Sequence, residues 1–116
     1  MKTRMLGLAV TLLMFAGVSF AAGNTYTGEI MDSACAAMGS HEAMMKGHPN
    51  MTAKDCTVAC VQHGAKYVLY DAATKTIYQL DDQKKPEQFA GAKVAVSGTL
   101  DAATKTIHVA TIKAAS

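Results

Sequence analysis

The sequence predicts a mainly β domain in which five strands curl into a small barrel and a helical insertion follows the first strand. Three observations predict it. Short runs rich in β-branched and aromatic residues recur through the second half of the chain, separated by polar turns. One stretch, Thr52 to Gly64, carries paired signals for a helix start and a helix stop. Around that helix, between Met31 and His63, lie all three cysteines, three of the four histidines and five of the eight methionines.

The chain opens with a pattern that is not part of a fold. Lys2 and Arg4 supply a positive start, Leu6 to Phe20 is an almost unbroken apolar run, and Ser19-Phe20-Ala21 places small residues where a signal peptidase reads them. Residues 1–21 are therefore expected to be a signal peptide and 22–116 a single domain, with 31–64 as its Cys/His/Met-rich insertion. The apolar run is short for the ~30 Å hydrocarbon core of a bilayer, so the expected location is periplasmic or secreted, with no membrane contact after cleavage. Loss of Lys2 and Arg4 leaves nine basic against nine acidic residues and no arginine. Nucleic acids and anionic membranes are held by clustered positive charge, so neither is an expected partner.

Asn24 to Met31 alternates as a strand, with Tyr26, Gly28 and Ile30 on one face and Thr25, Thr27, Glu29 and Met31 on the other. Gly28 in its middle marks a bulge or a sharp coil. Asp32 is placed to cap a short helix, Ser33 to Met38, stopped by Gly39; Ser40 starts a second, His41 to Lys46, stopped by Gly47. Thr52 with Asp55 forms a capping box, Met51 with Cys56 a hydrophobic staple, and Gly64 sits at the left-handed stop, so Ala53 to His63 is helical. Lys66 to Tyr70 and Thr76 to Leu80 read as a hairpin, and Pro86 to Ala90 as a short helix with proline at its start. Lys93 to Leu100 alternates, pointing Val94, Val96, Gly98 and Leu100 one way. Its partner, Lys105 to Lys113, places Ile112 on the wrong parity relative to Ile107 and Val109, which a bulge near Ala110 or Thr111 corrects. The seven residues Asp71 to Ile77 recur letter for letter as Asp101 to Ile107, each copy joining two predicted strands. Two copies are too few for a repeat array, and the reading is one turn chemistry used twice.

This order of strand, helical insertion, two strands, short helix and two strands is that of a five-stranded Greek-key barrel of the OB type. The segments Gly28-Glu29-Ile30-Met31-Asp32-Ser33-Ala34-Cys35, Cys56 with Cys60, Gly64-Ala65-Lys66-Tyr67-Val68-Leu69 and Val94-Ala95-Val96-Ser97-Gly98-Thr99-Leu100 resemble small secreted bacterial OB-fold-like domains of unknown function. The resemblance implies a fold and a compartment and no activity. It does not account for the methionines and histidines between Cys35 and Cys56.

Cys56, Cys60 and His63 stand at i, i+4 and i+7 and so share one stripe of the predicted helix. Thiolate and imidazole together are ligands for zinc and copper, and thioethers favour Cu(I). The candidate metal ligands are Cys35, Cys56, Cys60, His63, His41, His48, Met44 and Met45, with Met38 and Met51 on the same connection; copper is expected first and zinc second. The same stripe is also what any amphipathic helix turns toward its core. Three thiols in an oxidising compartment predict a disulfide of Cys35 with Cys56 or Cys60, a closure that stabilises by about 3 kcal/mol. The two readings are compatible, because one bridge leaves one thiol.

Other residues are explained without chemistry. His108 is expected at a surface or rim, Tyr67, Tyr70 and Tyr78 packed on the barrel, Asp32 as a helix cap, and Asp81, Asp82, Lys84 and Lys85 as a solvated turn. No nucleophile, base and orienting acid stand in a recognisable array, and C-x-x-x-C is not a thioredoxin-type centre, so an enzyme is not expected. The expected function is an exported, non-catalytic binding module for a soft metal. The alternatives are a disulfide-stapled structural or interaction domain with a protein partner in the periplasm, and a thiol-disulfide exchanger acting through Cys56.

Overall fold

A computed structural model describes residues 23–115; the expected signal peptide lies outside them. Five strands, β1 (Asn24–Asp32), β2 (Tyr67–Asp71), β3 (Thr76–Leu80), β4 (Lys93–Asp101) and β5 (Thr106–Ala114), make a sheet that closes into a ring in the order β1-β2-β3-β5-β4. Neighbours are antiparallel except β3 and β5, which run parallel over only two paired positions, Gln79 with Thr106 and Leu80 with Ile107. Three short helices, α1 (Ser33–Met38), α2 (Glu42–Met45) and α3 (Ala53–Gln62), fill the connection from β1 to β2. No helix among the described residues is long and apolar enough to cross a membrane.

Local chemistry sets these boundaries. The Asp32 side chain accepts from the Cys35 amide and Gly39 ends α1 at φ 82°, as expected. Both hydrogen bonds of the Thr52–Asp55 capping box are made. The second helix is a single turn, shorter than the expected His41 to Lys46, since His41 caps it and Lys46 is already extended. The expected helix at Pro86 is a 3-10 turn, Lys85–Phe89; five residues closed by Gly91 leave too little chain for α-type bonding.

Strand β1 changes partner along its length, pairing with β4 from Asn24 to Glu29 and with β2 from Glu29 to Asp32. At the change a β-carbon on Gly28 would collide with the Tyr70 carbonyl, so only glycine lets the two backbones approach. The register of β4 with β5 skips Ala110, where Ile112 comes back into phase with Val96. The two copies of the repeated heptapeptide form matching turns. Asp71 and Asp101 each accept from the amide two residues on at 3.0 Å, Thr74–Thr76 and Thr104–Thr106 are each bonded at 2.8 Å, and Lys75 and Lys105 lie at φ 53° and 52°.

Alternation on β1 and β2 divides the interior in two. Ile30, Tyr67 and Leu69 point into the ring with Leu80, Val94, Val96 and Ile107, and Tyr26 and Tyr78 pack there with ring centroids 5.2 Å apart and planes tilted by 51°. Met31, Val68 and Tyr70 face the other way and are covered by Cys35, Ala36 and Cys56 of the insertion. The stretch expected to be a solvated turn does more. Gln83 bonds both the amide and the carbonyl of Tyr67, and Asp81 accepts from the Val109 amide at 2.8 Å and pairs with His108 at 3.2 Å.

Candidate metal centre

The second compartment holds the chemistry. Asp32 ends β1, Cys35 lies in the first turn of α1, His41 precedes α2, and Cys56 lies in the first turn of α3. One ligand atom from each falls within 4.8 Å of the others, and the four residues are 0, 0, 8 and 1% exposed. Four elements thus converge on one point because two capped helices are laid across the outer face of β1 and β2.

The polar atoms of this group are incompletely satisfied. Asp32 uses Oδ2 to accept from the Cys35 amide at 2.9 Å and leaves Oδ1 buried without a partner. His41 places Nε2 3.2 Å from Glu29 Oε2 and leaves Nδ1 buried without a partner. A buried polar atom left unpaired costs about 1–3 kcal/mol, and two in one small space call for a compensating group. A ring whose one nitrogen is held by a carboxylate while the other is left bare is the arrangement that orients a metal-ligating histidine. Burial, with Asp32 and Cys56 adding to it, pushes the Cys35 thiol far above the ordinary thiol range, so a cation held here would have to displace its proton. The Cys60 thiol is also raised, mainly by burial and then by the charges of Asp32 and Cys56.

The expected disulfide is not formed. Cys35, Cys56 and Cys60 are free thiols, and the Cys35 and Cys56 sulfurs are 3.7 Å apart, a thiol contact rather than a bond of ~2.05 Å. Of the other residues proposed from the sequence, Met45, Met51 and Cys60 pack against this compartment. Met44, His48 and His63 lie beside it, lining with Met51, Cys56 and Cys60 an adjoining cavity of about 670 Å³. A second cavity, of about 390 Å³, reaches His41 from the other side and is lined by Glu29, Tyr70, Asp71 and Lys93.

Residues 60–115 match the family model described as "Protein of unknown function (DUF5818)". No curated protein and no solved structure matches the chain. The DUF5818 match covers the last turn of α3 and strands β2 to β5, which carry most of the ring. It includes Cys60 and His63 but stops short of Asp32, Cys35, His41 and Cys56, so the DUF5818 likeness leaves the four-residue group to be argued from its own geometry.

Sequence reasoning missed two participants. Asp32 was fully explained as a cap, yet a cap occupies one carboxylate oxygen and the other remains available. Glu29 shares a strand face with Met31, which is the signal that it points toward the insertion.

Proposed function

We propose that the protein is an exported, non-catalytic module that holds one transition-metal ion between Asp32, Cys35, His41 and Cys56. The observation that carries this is the convergence of four buried donors, two of them with bare buried atoms, within 4.8 Å. Four protein donors with no exposed position match the closed sites that zinc fills for structure or storage, rather than the three-ligand sites that keep water for catalysis. Two thiolates, one imidazole and one carboxylate favour zinc over Cu(I), because the carboxylate is a hard donor. Zinc therefore stands first on this geometry and copper second. The apolar run behind Lys2 and Arg4 supports export. The strand order with its one parallel pair supports an OB-type Greek-key barrel as the scaffold.

The test is metal titration of the reduced protein, with Co(II) as a spectroscopic stand-in. One equivalent is expected to bind with thiolate-to-cobalt absorption and tetrahedral visible bands, both lost in Cys35→Ser and Cys56→Ser. Absence of binding, or binding unaffected by either change, overturns the proposal.

The 3.7 Å sulfur contact favours a second reading, a domain stapled by a Cys35–Cys56 disulfide after export. Thiol counting and metal content measured on the same secreted sample separate the two: two thiols fewer and no metal supports the staple, three thiols with metal the ion. Exchange chemistry is the third reading, and reduction of a test disulfide that persists in Cys56→Ser excludes that residue as its nucleophile.

A further inference from the structure

We propose that the open groove beside the buried group is a second metal site, a capture port for a soft monovalent ion of the Cu(I) class. The proposal builds on the buried group being a metal site but is read out at different residues. An ion bound for Cys35 and Cys56 must pass a wall, since both are essentially inaccessible from outside. Three cavities among the described residues touch that wall. The two at His41 have charged side chains in their linings, Glu29, Asp71 and Lys93 in one and Glu42 and Lys46 in the other. The one at Cys56 has no charged side chain in its lining; its donors are two thioethers (Met44, Met51), two imidazoles (His48, His63) and the Cys60 thiol. Hard cations need oxygen ligands and find no carboxylate there, whereas neutral sulfur and imidazole suit Cu(I).

Met51 and Cys60 are half-buried against the compartment, and the other three donors are not core filling. Met44 is 45% exposed, and His48 and His63 are exposed as well. The five donors come from α2, from α3 and its cap residue His63, and from the connection between those two helices. Its own hydrogen bonds are local, His48 to Met45 and Met51 to His48, and Gly47 at φ 85° has nothing within 4 Å of where a β-carbon would stand. Cys56 belongs to both the groove lining and the buried group, which makes it the step between them for copper, the ion that stands second at that group. Binding at Cys60 releases its thiol proton to solvent, and the ion keeps its charge throughout.

The experiment uses Ag(I), a redox-inert stand-in for Cu(I), on reduced full-length protein with isotope-labelled methionine methyls. The first equivalent is expected to shift the Met44 and Met51 methyl resonances and leave that of Met38, which is 52% exposed and outside the groove lining, in place. Met44→Leu with Met51→Leu keeps the apolar volume and is expected to weaken Ag(I) binding at least tenfold while zinc uptake by the buried group is unchanged. Equal shifts at all methionines, or undiminished Ag(I) binding in the double variant, overturn the port. If zinc binds and the groove methyls stay still, the port alone fails. If the methyls shift and zinc does not bind, the buried site fails and the groove stands.

Discussion

At the scale of single residues, Asp32 carries two duties that a substitution separates. One carboxylate oxygen caps α1 and the other is buried and bare. Asp32→Asn keeps the cap oxygen and brings no charge. In the presence of chelator its stability, measured by urea unfolding, is expected to equal or exceed that of the parent by about 1 kcal/mol, because an unpaired buried charge is costly. Zinc affinity is expected to fall at least tenfold. A loss of stability without metal together with unchanged zinc affinity would show the residue to be a cap alone. The site was legible in residue type and only partly in arrangement. Cys35, His41 and Cys56 belong to the expected set and converge, whereas His63 does not join them. Seven residues along a helix advance by about 10 Å, so a stripe that begins at Cys56 has left the coordination distance before it reaches His63. Sharing a face is a weaker condition than sharing an ion.

At the scale of elements, closure of the ring depends on its shortest pairing. The parallel contact of β3 with β5 has two paired positions, and Asp81 just beyond β3 reinforces it by accepting from the Val109 amide. That bond, with His108 adding to it and partial burial opposing, holds the Asp81 carboxyl below the usual carboxylate range. A carboxyl depressed in the folded state contributes stability above its unfolded value of 3.8, and loses it as pH falls through the folded value. Asp81→Asn is therefore expected to be less stable than the parent near neutral pH, with the gap closing in acid. The side chain is 42% exposed, so solvent screening keeps the difference below about 1 kcal/mol. Chemical denaturation across pH measures it; a gap that widens in acid contradicts the assignment. At the other critical junction, Gly28→Ala drives a methyl group into the Tyr70 carbonyl and is expected to cost more than about 2 kcal/mol, or to prevent folding. Normal thermal stability in that variant would show that β1 has slack there. The caps of α1 and α3, the repeated turns and the bulge at Ala110 were legible because each follows from a few adjacent residues. The turn after β3 is solvated at Asp81, Lys84 and Lys85 as expected, but the bonds that Gln83 and Asp81 make to Tyr67 and Val109 were not legible, since those partners lie 16 and 28 positions away.

At the scale of the whole molecule, an ion held by three separated pieces of chain would link the insertion to the ring. If the proposed site binds zinc, free zinc at a hundredfold over its dissociation constant would add about 2.7 kcal/mol to the folded state. For a domain of this size that is a rise of about 10–20 °C in Tm. The rise is expected to shrink as pH falls, because protons compete for the Cys35 sulfur, and to disappear with EDTA; a Tm indifferent to zinc at neutral pH contradicts metal binding. Strands β1 and β2 are then the shared wall of two rooms, one hydrocarbon and one sulfurous, with consecutive side chains allotted to alternate rooms. Slippage by one position would exchange the contents of both, delivering Met31 into the ring and Ile30 to the thiols. Deleting a single residue from Ile30–Asp32 should therefore be far more damaging than deleting one from the 72–75 loop, although each removes the same length of chain.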